Sequence, residues 1–296
     1  MRLVSFKLNG EIAGGIQTDK GIIPFSAFGD DVPKDVASVI EGGQSLQDTI
    51  LLRLHSEKDL KIHDIADVII VAPIPTPRRN IFCVGKNYHA HAKEFQDSGF
   101  DSSSSGQESP DVPIVFTKAP SSVIGPNESI LSELDPTGTL DYEGELAVII
   151  GIGGRGIKAA DAMAHVYGYS IINDVTARET QNLHKQWFLG KSPDTFCPFG
   201  PAIVTSNEIS DVGKLTLKTV VNGELRQDAI VSDLIFDIPT IIETISAAIT
   251  LQPGDIIATG TPVGVAIGFK PPRYLKSGDT VSVEISNIGS ISNPVA

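Results

Sequence analysis

The chain predicts a β-rich α+β fold, and three observations carry the prediction. Short apolar runs recur between Gly/Pro turns; a Gly-Asp pair twice opens such a run, in Pro253-Gly-Asp-Ile-Ile-Ala and Ser277-Gly-Asp-Thr-Val-Ser-Val-Glu-Ile; and helical periodicity is confined to a few stretches. Length and apolar content are ordinary for one large domain or a large and a small one.

In chain order, residues 1–10 alternate like an edge strand running into a turn, and residues 35–54 read as a helix. The connector Ala72-Pro-Ile-Pro-Thr-Pro77 forbids continuing secondary structure, so a boundary is expected there, with a small domain at 1–72 and a larger one at 73–296. Residues 96–112 hold Ser102-Ser-Ser-Ser-Gly106 without an apolar period and read as a mobile loop, a candidate lid. Residues 175–188 have the composition of a polar helix. Ile238, Ile241, Ile242, Ile245 and Ile249, behind Asp237 as N-cap, read as a core helix.

Thirty-six acidic against 23 basic residues give a net charge of -13, which disfavours nucleic acid and anionic membrane as partners. No secretory signal or bilayer-spanning run is visible. Cys83 and Cys197 lack CxxC spacing and read as buried free thiols, which points to a reducing, cytoplasmic setting.

The most informative segment is Leu140-Asp-Tyr-Glu-Gly-Glu-Leu-Ala-Val-Ile-Ile150. Strand side chains alternate faces, so Glu143 and Glu145 point the same way, and a second run, Tyr167-Gly-Tyr-Ser-Ile-Ile-Asn, delivers Asp174 at its end. Three acids from neighbouring strands make a set of hard oxygen ligands suited to Mg²⁺ or Mn²⁺. Without a cation each like-charge pair at about 4 Å costs roughly 4 kcal/mol at an effective dielectric near 20. The competing reading is a solvated strand face with Asp174 as a helix cap.

His91 and Glu94 lie three apart, neighbours on one helical turn, and a carboxylate beside an imidazole suits a base that activates water. Lys118 and Lys191 stand without evident partners in apolar or Pro-rich settings, where they could anchor a substrate carboxylate or an enolate oxygen. Gly151-Ile-Gly153-Gly-Arg-Gly156 matches GxGxxG after a strand, which raises a dinucleotide-binding oxidoreductase as an alternative. The acids on that strand and the lack of repeating strand-helix units favour a plain glycine-rich turn.

Gly85-Lys-Asn-Tyr88 with His91 and Glu94, Phe116-Thr-Lys118, Asp141-Tyr-Glu-Gly-Glu-Leu, Asn173-Asp-Val-Thr-Ala-Arg178, Gly190-Lys-Ser with Cys197-Pro-Phe-Gly-Pro201, and Ala258-Thr-Gly-Thr-Pro-Val-Gly264 together resemble the fumarylacetoacetate hydrolase family, from about residue 78 onward and in the right order. The resemblance implies a mixed β-sandwich roll behind a small α/β domain, a homodimer, and Mg²⁺ or Mn²⁺ held by Glu143, Glu145 and Asp174. It also implies His91 and Glu94 as the water-activating dyad, Lys191 as the enolate-stabilising group, and Lys86, Tyr88, Lys118, Arg178, Gln181 and Thr261 as substrate-binding or supporting residues. The expected substrate is a small 2-oxo acid. Hydrolysis of an acylpyruvate is the first expectation, oxaloacetate decarboxylation the second, and 2-oxo acid isomerisation or dehydration the third.

Overall fold

A computed structural model describes residues 1–56, 59–99 and 110–296. Most of the Ser-rich segment expected to be a lid lies outside the described residues.

The centre is one large, mostly antiparallel sheet, whose strands run in the order Gly21–Pro24, Glu11–Thr18, Arg2–Leu8, Cys197–Thr205, Val166–Asn173, Gly144–Ile150, Ile256–Ala258, Ile81–Gly85 and Ile114–Lys118. A smaller antiparallel sheet is ordered Glu224–Ile230, Thr216–Val221, Thr280–Ile285, Gly289–Pro294. The fold is thus a sheet-rich α+β one, as the strand and turn pattern predicts.

Strand Gly144–Ile150 is buried along its whole length, because both faces are covered. Leu146, Val148 and Ile150 pack with Leu217, Val283 and Ile285 of the small sheet and with Ile241, Ile242 and Ile245 of helix Ile238–Ala248. Ala147 and Ile149 pack on the opposite side with Phe25, Ile40 and Ile50 of the N-terminal segment. Asp237 caps the helix by accepting the Thr240 N–H, and Pro sits in its first turn, where no donor is lost. Ile249 falls just outside, in extended conformation.

Three local expectations change. Residues 2–8 form an interior strand, paired with Glu11–Thr18 on one side and Cys197–Thr205 and Ile69–Val71 on the other, so Leu3, Val4, Ser5 and Phe6 are all buried. Alternation cannot reveal a partner two hundred residues away. Residues 35–54 split into Val36–Glu41 and Gly43–Ser56, parted where Gly43 takes a φ of 65°. In residues 175–188 the helix Arg178–His184 stops where Lys185 adopts a φ of 60°, and a second, short helix starts only at Phe188. Strand Arg2–Leu8 and the core shared by Phe25, Ile40, Ile149 and Ile203 join residues 1–72 to the rest. We retain the division at 72 as a proposal about sequence modules that share a core.

The glycine-rich turn is held by backbone bonds from Gly151 N–H to His165 O and from Gly154 N–H to Leu251 O. Its preceding strand is antiparallel to both neighbours, and a helix of only four residues, Ala159–Ala162, follows. A dinucleotide site needs a parallel βαβ unit at that point, so the oxidoreductase reading loses its structural context.

Candidate metal centre and active site

The register of the two central strands assembles the acids. Ile172 pairs with Glu145 and Asn173 with Gly144, so Asp174 emerges beside Glu143. Two bonds fix this end: Asn173 Oδ1 accepts the Glu143 N–H at 2.9 Å, and the Asp174 N–H donates to Glu143 O at 2.8 Å. Oxygens of Glu143, Glu145 and Asp174 lie within 4.8 Å of one another, and all three residues are buried.

Their environments differ. Glu143 Oε1 receives Arg178 Nη1 at 2.7 Å and its Oε2 receives Lys191 Nζ at 2.7 Å. Burial would raise its carboxyl, but Lys191 and Arg178 outweigh burial and hold it down at about 2. Asp174 takes Lys118 Nζ at 2.6 Å and Lys191 Nζ at 2.8 Å. Glu145 has no ion-pair partner among the described residues; its Oε2 accepts only the Gly260 N–H, at 2.7 Å. Burial first, then Asp174 and Glu143, push its carboxyl well above the ordinary value of 4.5. A fully buried carboxylate left unpaired between two others is the feature a divalent cation explains, and three hard oxygen donors suit Mg²⁺ or Mn²⁺.

Lys118 and Lys191 are therefore not the solitary lysines that the sequence suggests. Lys118 is fully buried, bonded to Asp174, to Val175 O at 3.1 Å and to Lys191 O. It lies behind the acids rather than on the cleft. Lys191 reaches them because helix Phe188–Lys191 sits tightly on Arg178–His184 at Gly190, where a Cβ would come 2.6 Å from Gln181 N.

Lys86, His91, Glu143, Glu145, Arg178, Gln181, Lys191 and Thr261 line one cleft with Phe95, Phe116 and Trp187. His91 and Glu94 share helix His89–Asp97, with Nδ1 3.2 Å from Glu94 Oε2. That bond puts the proton on Nδ1 and leaves Nε2 as the basic nitrogen of a ring facing the cleft. Glu94 is held by the Gly264 N–H at 3.0 Å, and a Cβ at Gly268 would run into its carboxylate. Arg178 Nε donates to Asp141 at 2.8 Å and Nη1 to Gln181 Oε1 at 3.2 Å, while buried Nη2 has no hydrogen-bond partner among the described residues. Tyr88 does not line this cleft; it borders another cavity with Asp228 and Asp233.

Two supporting residues escaped sequence reasoning. Asp141 is fully buried and accepts the Ala266 and Ile267 N–H groups as well as Arg178, tying that guanidinium to the 264–267 loop. Gln227, reaching across from the small sheet, accepts the Gly144 N–H at 3.1 Å and donates to Thr261 Oγ1 at 2.8 Å; Thr261 in turn donates to Gly144 O at 3.0 Å. The peptide between Glu143 and Glu145 is clamped on both sides. Asp141 stands in a quoted motif, but nothing local signals the role of Gln227.

Residues 80–296 match the fumarylacetoacetate (FAA) hydrolase C-terminal family. The chain is 49% identical over 234 residues to an oxaloacetate tautomerase of Bacillus subtilis, covering 79% of this chain and 75% of that one. It is 39% identical over 303 residues to a mitochondrial oxaloacetate tautomerase of Bos taurus, covering 100% and 91%. Among solved structures, a fumarylacetoacetate hydrolase from psychrophilic Exiguobacterium antarcticum superposes with a TM-score of 0.81 at 40% identity, covering 100% and 99%. A maleylpyruvate hydrolase from Sphingobium sp. SYK-6, solved with manganese(II) and pyruvate, does so with 0.78 at 30%, again covering 100% and 99%. With residues 80–296 matching the family's C-terminal domain and a relative 39% identical over the whole of this chain, the chain belongs to the fumarylacetoacetate hydrolase family.

Proposed function

We propose that the protein is a divalent-metal-dependent oxaloacetate tautomerase, interconverting the enol and keto forms. The observation that carries this reading is that one small cleft presents a base, the His91–Glu94 dyad, together with Lys191 and Arg178. Tautomerisation moves one proton between the C2 oxygen and C3, so it needs a base at one position and stabilised charge at the other. The sequence ranked isomerisation third; two oxaloacetate tautomerases among the relatives and the unpartnered Arg178 Nη2 support moving it first.

Glu143, Glu145 and Asp174 would hold Mg²⁺ or Mn²⁺, which when bound supplies Lewis acidity that favours negative charge on the 2-oxo oxygen. Lys191 gives two of its three N–H groups to Glu143 and Asp174, leaving one for a substrate oxygen. Arg178 Nη2, a buried donor that costs about 1–3 kcal/mol while unsatisfied, suits the distal carboxylate of a dicarboxylic substrate. In the keto-to-enol direction His91 Nε2 takes the proton from C3 and returns it to the C2 oxygen, with Glu94 fixing the ring. Buried free Cys83 and Cys197 accord with a cytoplasmic protein, which we propose together with a homodimer.

Hydrolysis of an acylpyruvate is the second reading, supported by the maleylpyruvate hydrolase neighbour, with the same dyad activating water. The test compares three rates on Mg²⁺-loaded protein: decay of enol-oxaloacetate absorbance, pyruvate release from acetylpyruvate, and pyruvate release from oxaloacetate. Tautomerisation is expected to have the highest kcat/KM. Faster pyruvate release from either substrate overturns it in favour of hydrolysis or decarboxylation.

A further inference from the structure

We propose that Trp187 is the specificity-determining residue of the cleft, limiting the substituent on C3 of the 2-oxo acid to about the size of a carboxylate. The inference rests on the assignment of this cleft to 2-oxo acids and goes beyond it in naming which of them enter.

The apolar lining consists mainly of three rings. Trp187 meets Phe116 edge-on at 5.1 Å and 71°, and Phe95 at 6.5 Å and 68°. The two phenyl rings are committed to the charged machinery: Lys86 Nζ and Arg178 Cζ lie 5.4 and 5.6 Å from the Phe95 centroid, and Lys191 Nζ lies 5.1 Å from that of Phe116. Moving either ring disturbs a cation that the reaction uses. Trp187 carries no stacked cation among the described residues. It comes from the short link between helices Arg178–His184 and Phe188–Lys191, and is partly exposed. Its bulk is thus the part of the wall that bears on the acid–base groups only through the two phenyl rings.

The seat of the indole is built for it. A Cβ at Gly85 would come 2.5 Å from Trp187 Cζ3 and 2.9 Å from Cη2, so the six-membered ring rests directly on the end of strand Ile81–Gly85. A side chain seated there is backed by the strand on that side, so the indole forms a wall of the cleft. An aromatic acyl group has to displace the indole.

The test reads binding to Mg²⁺-loaded protein, and the absorbance of each titrant after the run separates binding from turnover. Trp187 is the sole tryptophan, and its fluorescence is expected to change when oxalate or oxaloacetate enters the wild-type cleft. Titration calorimetry then compares oxalate, acetylpyruvate and benzoylpyruvate in wild type, Trp187→Phe and Trp187→Ala. In wild type, benzoylpyruvate is expected to bind at least tenfold more weakly than acetylpyruvate, a scale set by what a tight apolar wall can exclude. That ratio should shrink to within about threefold in Trp187→Ala and be intermediate in Trp187→Phe, with oxalate, which has no C3 substituent, as the reference affinity in each protein. The same ratio in wild type and both variants overturns the proposal. Absence of tautomerase activity alongside the expected ratios would instead sink the assignment of the reaction and leave the size filter standing.

Discussion

The Lys191 ammonium lies 2.7 Å from Glu143 Oε2 while also sitting 2.8 Å from Asp174 Oδ2, so a protein cation is bound to the oxygens proposed as metal ligands. Burial works against its charge, but Asp174 and Glu143 outweigh burial and hold its pKa above the ordinary range. Lys191→Met should therefore have opposite effects on binding and catalysis. Mg²⁺ affinity should rise by about tenfold, roughly 1.4 kcal/mol, because a like charge is removed from beside the ion. Turnover should fall on the order of 10²-fold or more, because the donor to developing oxygen charge is gone. Calorimetry and steady-state rates on the same preparation check both, and weaker Mg²⁺ binding would mean that Lys191 organises the ligands instead of competing with the ion.

Asp174→Asn should lower Mg²⁺ affinity, and it should also destabilise the fold. Lys118 is fully buried and relies on Asp174 as its only charged partner among the described residues. Breaking a buried ion pair from one side costs about 3–5 kcal/mol, and an amide that still accepts a hydrogen bond places the loss near the lower end. Thermal unfolding should show the loss, and Lys118→Met combined with Asp174→Asn should recover part of it. An additive double variant would remove the pairing argument.

How much was legible follows from the range of the interactions involved. Glu143, Glu145, Asp174 and the His91–Glu94 pair are set by strand alternation and helical spacing, which are local; the structure clusters the three acids and puts Glu143, Glu145 and His91 on the cleft wall, with Asp174 and Glu94 bonded behind it. Lys118 and Lys191 looked unpaired because their partners are 56, 48 and 17 residues away. Gln227 alternates unremarkably on its strand, and its bonds to Gly144 and Thr261 exist only because two sheets meet. Trp187 was placed in a helix that in fact ends before it, at a positive φ adopted by Lys185 with no Gly or Pro to mark the break.

Glu145 makes stability depend on pH with a definite sign. Its folded-state pKa is raised above the ordinary 4.5, so the neutral form is favoured in the fold; relative to low pH, the cation-free protein loses stability as pH rises above about 4.5 until the raised pKa is passed. Glu143 acts oppositely, contributing stability above 4.5 that disappears only as pH falls towards about 2. Glu145→Gln should therefore raise the Tm of chelator-treated protein at neutral pH and abolish the Tm gain on adding Mg²⁺. In wild type that gain should grow from pH 5 to pH 8, because the ion must displace a proton. A gain independent of pH would show that Glu145 is already ionised without the metal.

The dyad should behave as one unit. His91 supplies the basic nitrogen, and Glu94 orients the ring while being fixed itself by the Gly264 N–H. His91→Ala should cost tautomerisation on the order of 10²-fold or more, the scale of a lost general base. Glu94→Ala should cost nearly as much, and the double variant should be no worse than His91→Ala, because orientation is worthless without the group oriented. Any oxaloacetate decarboxylation should be largely spared in all three, since loss of carbon dioxide needs no base at C3. Losses that multiply in the double variant would mean that Glu94 acts on the substrate by itself, and equal loss of both reactions in His91→Ala would mean that His91 maintains the architecture of the cleft instead of moving the proton.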